Sequence, residues 1–449
     1  MREARLGDVV ASMKNGMYKH ASEYANDGMP CLRMYNIDAG SIVWRDIKRM
    51  KVTPQEYADY GLHEGDLLVN RVNSRELVGK AAVIPASLEP SVFESKNIRV
   101  RLDTSKALPK FINYQLFARG SKHFANNAQQ VVGMASISQG QLSDFPIVLT
   151  GIDEQREIVA ELEKQFSRLD EAVANLQRVK ANLKRYKASV LKAAVEGRLV
   201  EIEASLARRE GRTFESGEQL LERILEERRA KCAGKGKYKE PVVPDTACFG
   251  ALPAGWVWTS GDQLTSVITD GEHITPRRTP EGVLLLSARN VLNGRLALDD
   301  VDYVPEDEYE RIAKRIAIQA GDVLLSCSGT VGRSCVVPTG LRFTLVRSVA
   351  VLRPVIMLAD FMTYNLQSPL GQSQIDDRKT QTAQANLFQG KIRQLVFALP
   401  PLAEQARIVA EVDRHLSIIR EVEAEVDANL QRAQALRQAT LAKAFEVRS

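Results

Sequence analysis

The chain has little of what marks most catalytic and metal-binding proteins. Its five cysteines, Cys31, Cys232, Cys248, Cys327 and Cys335, are odd in number and form no Cys-x-x-Cys pair. That argues against a disulfide framework and a zinc ribbon and favours reduced core thiols. The histidines His20, His63, His123, His273 and His415 stand singly, as surface or satisfied core residues do rather than a ligand set. Gly79-Lys80, Gly234-Lys235 and Gly390-Lys391 lack both the earlier glycine and the following hydroxyl of a phosphate-binding loop, so no P-loop ATPase is expected. There is no Asn-Pro-Pro-aromatic segment of an adenine N6-methyltransferase, no Gly-x-Gly-x-x-Gly behind a strand, and no Glu-x-Lys behind Pro244-Asp245 to make a nuclease core. An enzyme active site is therefore not expected. No window approaches 18 uninterrupted apolar residues, and Met1 leads into charged Arg2, Glu3 and Arg5 without an apolar signal region. A soluble cytoplasmic protein with no membrane partner follows. The net charge of +5 is small for 449 residues; it permits a polyanion partner without requiring one.

What is present is a long heptad helix, written twice. Leu162, Leu169, Leu176, Leu183 and Val190 fall seven residues apart, and Val159, Phe166 and Val173 form the other half of a seam that drifts to Val179 and Tyr186, as a 3.6-residue helix drifts against a 3.5-residue repeat. The opening Glu154-Gln155-Arg156-Glu157-Ile158-Val159-Ala160-Glu161 returns 250 positions later as Glu404-Gln405-Ala406-Arg407-Ile408-Val409-Ala410-Glu411, and Leu191, Ala194, Glu196 and Arg198 return as Leu441, Ala444, Glu446 and Arg448. The two helices match at both ends, so the chain is a duplicated unit.

The globular parts repeat as well. Residues 1–152 read as mixed α/β, with short strands after Pro30 and after Gly65-Asp66, another ending at Pro85, and a short helix from Phe111. Their landmarks recur in order in residues 251–402. Leu6-Gly7-Asp8 corresponds to Ser260-Gly261-Asp262, Asn36-Ile37 to Asn290-Val291 and Gly65-Asp66 to Gly321-Asp322, while Val78-Gly79-Lys80 corresponds to Val331-Gly332-Arg333 and Gln139-Gly140 to Gln389-Gly390. The loops between these landmarks differ, which implies two related sites of different specificity. Residues 153–200 and 403–449 hold the helices. Residues 201–250 form a linker, with a capping box at Ser216-Gly217-Glu218-Gln219, an amphipathic helix carrying Leu220, Leu221, Ile224 and Leu225, and then a basic, mobile surface run.

Three stretches together resemble the specificity subunit of type I restriction-modification systems: Leu399-Pro400-Pro401-Leu402-x-Glu404-Gln405-x-x-Ile408-Val409 before a long helix, Pro253-Ala254-Gly255-Trp256 before the second domain, and Ala194-x-Glu196-Gly197-Arg198-Leu199 closing the first helix. The first copy departs in its lead-in, Leu149-Thr150-Gly151-Ile152. The resemblance implies two α/β (α+β) target-recognition domains separated by two long antiparallel coiled-coil helices, with a pseudo-two-fold internal repeat. Each domain would read half of a bipartite asymmetric site in double-stranded DNA, and helices of roughly 66 Å, about 19 base pairs, would fix the gap. Two modification subunits would hold S-adenosylmethionine and flip the target adenine. Two restriction subunits would supply ATP- and Mg-dependent translocation and cleavage, leaving this chain without a cofactor, metal or catalytic residue of its own. A scaffold spacing two protein-binding domains is the alternative.

Base reading needs donors and acceptors at groove edges. The loop residues offering them are Asn70, Arg71, Asn73, Ser74 and Arg75, with Lys80 on phosphate, in the first domain. The second domain offers Ser326, Ser328, Thr330 and Arg333, with Arg378, Lys379, Gln381, Thr382 and Gln384 from a second loop. Asn36 and Asn290 are weaker candidates that suit turn caps. For partner docking, the repeated polar residues at the helix starts are Glu154, Gln155, Glu404 and Gln405.

Overall fold

The computed structural model describes residues 1–131, 133–232, 238–380 and 385–446. They form two units, Met1–Arg178 with Val426–Ser449, and Val179–Glu425.

In the first unit a four-stranded antiparallel sheet runs in the order Val10–Asn15, Asn97–Leu102, Leu67–Asn70, Ala81–Val83. The runs read after Gly65-Asp66 and before Pro85 are two of its strands, Leu67, Leu68 and Val69 being fully covered, while the strand bearing the buried Ile98 and Val100 was not read from the sequence. The strand Arg2–Arg5 pairs antiparallel with Pro146–Leu149 and brings the chain to the start of the first long helix, Ile152–Val195. The helix expected over residues 111–125 forms. It runs from Pro109 through a π-helical turn, Leu116–Gly120, into Ser121–Asn127.

The second unit repeats this plan. Its four-stranded sheet runs Thr265–Asp270, Val349–Pro354, Val323–Ser326, Ser334–Val336, and Val257–Ser260 pairs with Val396–Leu399 ahead of the second long helix, Leu402–Ala444. Several hinge points of the fold are also repeated in detail. Asp66 takes a backbone N–H from His63 and an ion pair from Arg101; Asp322 takes them from Gln319 and Arg353. Asn36 accepts from the N–H of Arg33 and donates to the carbonyls of Val43 and Arg45, and Asn290 does the same with Ser287, Ala297 and Asp300. Both asparagines are buried turn caps, with no side-chain capacity left for a ligand.

The segment 201–250 departs from a surface tether. Its helices Glu203–Glu210 and Gly217–Cys232 are built into the second unit, where Leu220 and Ile224 are fully buried. The capping box forms, with Gln219 N–H donating to Ser216 Oγ and Ser216 N–H to Gln219 Oε1. A Cβ on Gly217 would lie 2.3 Å from the Leu399 carbonyl oxygen, so only glycine lets this helix approach so closely. Amphipathic residues find a core to join, and that outweighs the polar composition around them. The basic run continues into residues 233–237, outside the described residues. Of the cysteines, Cys31, Cys327 and Cys335 are buried free thiols as expected, whereas Cys248 is exposed. Among the described residues no helix is long and apolar enough to cross a membrane.

The long helices are 44 and 43 residues, and each contributes to both units. In the first unit Val159, Leu162 and Phe166 share a core with Leu441 and Phe445, and Arg437 caps the Phe166 ring at 4.8 Å while pairing with Asp170. The expected drift of the seam to Val179 and Tyr186 does not occur. Those two are 39% and 46% exposed, and the covered positions continue at 183, 187, 190 and 194, keeping the 3.5-residue repeat. The seam in the second unit therefore takes a charged residue, Lys187, opposite Glu423, with Tyr186 turned outward to hydrogen-bond His415.

Burial lowers the Lys187 pKa from 10.5; Glu423 opposes the shift and Arg420 adds to it. A lysine whose folded pKa lies below its unfolded value destabilises the fold at lower pH, and this penalty fades as pH rises through the folded pKa toward 10.5. Lys187→Leu is expected to raise the urea midpoint of the second unit, by roughly 1 kcal/mol near neutrality. The gain should shrink toward pH 10.5; a gain that stays constant across that range would rule out desolvation of the lysine as its cause.

Candidate nucleic-acid interface

Each central strand ends on a short polar residue that closes the loop behind it. In the first unit this is Asn70, fully buried. Its Nδ2 donates to Asn97 Oδ1 (3.0 Å) and to the Lys96 carbonyl, and its Oδ1 accepts from Asn73 Nδ2 (2.6 Å). Asn73 Oδ1 in turn accepts the Ser74 N–H, and the Ser74 carbonyl receives Leu77 and Val78. The loop is completed by Gly79, at φ +84°, where a Cβ would strike the Phe124 ring. In the second unit Ser326 does the same work with a hydroxyl. It donates to the Thr330 carbonyl (2.7 Å) and accepts the Arg333 N–H (2.9 Å), while its backbone bonds Arg333 and Gly332.

Asn70, Asn73 and Ser326 thus differ from the expectation that they face bases. They are buried, and their donors and acceptors are spent on the loop itself. Ser74 is half-buried in the same network, and Ser328 is half-buried and bridged to Asn386. Thr330 is exposed, as is Arg75, whose Nε donates to the Ala125 carbonyl. The more available cations are Arg71 and Arg333, half-buried residues whose guanidinium groups make no bond to a described residue; Arg71 Nε is fully covered yet unpaired. Lys80, aligned with Arg333, is half-buried, and burial lowers its pKa against the pull of Asp38. Arg378 and Lys379 are tied back to their own helix, at the Gln374 carbonyl and the Asp376 carboxylate. Gln381, Thr382 and Gln384 lie outside the described residues.

At the helix starts only Glu154 is exposed, where it bonds Thr150. Gln155, Glu404 and Gln405 are fully buried, so they cannot offer the docking surface expected of them. Gln155 accepts the Leu108 N–H and donates to the carbonyls of Lys106 and Thr150; Gln405 accepts the Leu358 N–H and donates to the Pro400 carbonyl. Both glutamines staple a long helix to its globular domain. Glu404 receives Trp256 Nε1 (3.0 Å) and the Glu203 N–H (2.8 Å). Burial raises its pKa, opposed by these two donors and by Arg407. Glu203 beside it is also pushed up by burial, but its pairing with Arg212 and Arg407 outweighs this and leaves it lowered.

The structure also gathers residues that the sequence reading missed. The strands Val10–Asn15 and Thr265–Asp270 end at equivalent places, each followed by a glycine. A Cβ on Gly16 or Gly271 would lie 2.1 or 2.2 Å from a neighbouring carbonyl oxygen, so both chains are pinned there before turning outward. Tyr18 then projects into solvent, 83% exposed. In the second unit the turn borders a cleft of about 860 Å³ lined by Asp270, His273, Ser328, Arg347, Asn386 and Phe388. Arg347 is exposed, with a guanidinium that bonds no described residue, and Phe388 is 63% exposed. The available signal was the aligned pair Asn15-Gly16 and Asp270-Gly271, which accompanies the repeated Gln139-Gly140 and Gln389-Gly390. An exposed aromatic and an arginine that bonds no described residue, on one cleft, can stack on bases and hold phosphates.

Residues 1–184 and 287–431 match the family model described as type I restriction modification DNA specificity domain. The chain is 23% identical over 442 residues to the type I restriction enzyme EcoBI specificity subunit of Escherichia coli, covering 98% of this chain and 84% of that one. It is 26% identical over 237 residues to the type I restriction enzyme StySPI specificity subunit of Salmonella potsdam, covering 52% and 50%. A solved chain from a study of complex assembly and conformational transition of the type I R-M system superposes with a TM-score of 0.61 at 18% identity, over 99% of this chain and 97% of that one. The fold is therefore shared.

The division between loop-closing and outward residues has a direct test. Asn70→Ala leaves the buried amides of Asn73 and Asn97 short of partners and is expected to lower the stability of the first unit by roughly 1–3 kcal/mol. Arg71→Ala is expected to stay within about 0.5 kcal/mol of the parent. Equal urea midpoints for the two variants would contradict the assignment.

Proposed function

Because this chain belongs to the type I restriction-modification DNA specificity family, we propose that it chooses the DNA sequence on which partner subunits act. Each globular domain reads one half of a bipartite asymmetric site, and the long helices set the gap between the halves. The observation that carries this reading is the contrast between a repeated framework and unrepeated loops. Asp66 and Asp322, Asn36 and Asn290, and Gln155 and Gln405 keep their bonds from one copy to the other. Other loop positions change, with the half-buried Arg71 against the buried Cys327, Lys80 against Arg333 and Asn15 against Asp270. One scaffold bearing unlike side chains is what an asymmetric site requires, since identical domains would read a palindrome.

Chemistry is assigned to the partners. Two modification subunits bring S-adenosylmethionine and methylate adenine N6, and two restriction subunits bring ATP- and Mg-dependent translocation and cleavage, with this chain contributing no catalytic group. Work on DNA puts the assembly in the cytoplasm. Since Gln155, Glu404 and Gln405 are internal, docking falls to exposed residues of the helices, Glu154 among them.

In cells without endogenous methylation, this chain with its cognate modification subunit is expected to place N6-methyladenine in a single bipartite asymmetric motif, and neither chain is expected to do so alone. Methylation by this chain alone would overturn the non-catalytic assignment. A stable complex that marks no defined motif would overturn the specificity role.

A further inference from the structure

We infer that Asp270 is a specificity-determining residue of the second domain, accepting a hydrogen bond from a base amino group, cytosine N4, in the major groove; the inference rests on the DNA-reading function proposed above.

The internal repeat supplies the comparison. Asn15 and Asp270 each end the first strand of a four-stranded sheet and precede a glycine with no room for a Cβ. Each is held by the first residue of an equivalent short helix, Gln139 donating through Nε2 to Asn15 Oδ1 and Gln389 donating through Nε2 to Asp270 Oδ1. The glutamine, the strand end and the glycine are the same in both domains. The residue being held differs, and it differs in hydrogen-bonding sense.

With Oδ1 occupied, the free end of Asn15 is an amide N–H₂, which only donates. In Asp270 both side-chain bonds, from Gln389 and from His273 Nε2 at 3.0 Å, fall on Oδ1. Oδ2 bonds no described residue and can only accept. The carboxylate is 18% exposed and borders the 860 Å³ cleft, so it is neither a solvated surface acid nor a sealed core group. A carboxylate facing polyanionic DNA is unfavourable unless it meets a donor, and the donors in the major groove are the amino groups of cytosine and adenine. Adenine sets the N7 acceptor beside N6, where a second carboxylate lone pair is repelled, whereas cytosine offers N4 without that neighbour. Arg347 on the same cleft, whose guanidinium bonds no described residue, supplies the positive charge that keeps the phosphates close.

The test uses the full chain in complex with its modification subunit, with methylated motifs mapped for the wild type, D270N and N15D. D270N is expected to lose its preference at one base pair of one half-site, by roughly tenfold or more, and to leave the other half-site unchanged. N15D places an acceptor in the first domain and is expected to change one base pair of the other half-site. An unaltered motif in D270N, or a loss spread evenly over both halves, would overturn the inference while leaving the specificity role intact. A wild-type complex with no motif would overturn the specificity role itself, and this assignment with it.

Discussion

The attachment of each globular domain to its long helix depends on one buried glutamine amide. Gln155 and Gln405 sit in the first turn of their helices, where their own backbone N–H groups bond the carbonyls of Gly151 and Pro401. The side chain of each reaches the residue that precedes an earlier helix of its domain, accepting the N–H of Leu108 or of Leu358. A buried primary amide can satisfy several backbone groups at once and has a fixed geometry. Leucine here would fill the volume but leave the Leu108 or Leu358 N–H unpaired in the interior, which costs more than a solvent-exposed bond gains. The helix is thereby joined to the sheet by hydrogen bonds that tolerate little rotation.

The same economy governs the loops. Asn70 and Ser326 differ in size and chemistry, yet each ends a buried strand and accepts a bond from its loop, while Ser326 donates within the loop and Asn70 donates to the neighbouring Lys96 and Asn97. The fold requires a short polar side chain that can do both, and either an amide or a hydroxyl suffices. Residues one step further out, such as Arg71 and Arg333, carry guanidinium groups that bond no described residue, so their side chains take no part in closing the loop. The interior of the loop is structural and its rim is chemical.

Much of this plan was legible in the sequence. The duplicated helix openings, the Gly-Asp and Asn-Ile landmarks and the capping box at Ser216 all mark positions where backbone geometry restricts the residue type, and such positions survive duplication. The roles of Asn70, Asn73, Ser326, Gln155, Glu404 and Gln405 were not legible, because a polar residue in a polar run looks exposed until the strand before it is known to be buried. The seam misled in the opposite way. Val179 and Tyr186 are apolar and lie where an ideal helix would drift, but the packed helices hold the 3.5-residue repeat and turn Lys187 inward instead. The pairing of Asn15 with Gln139 and of Asp270 with Gln389 joins residues more than a hundred positions apart, beyond the reach of any local pattern.

A loop closed by its own first residue has a consequence for heredity. If the rim reads the target as proposed, substitutions there would alter what the domain recognises without disturbing how it folds, and a lineage could drift from one target sequence to another through intermediates that all remain assembled. Such a protein diversifies by small steps in a few outward side chains, and its two domains, which share a framework but no rim, follow separate histories within one polypeptide.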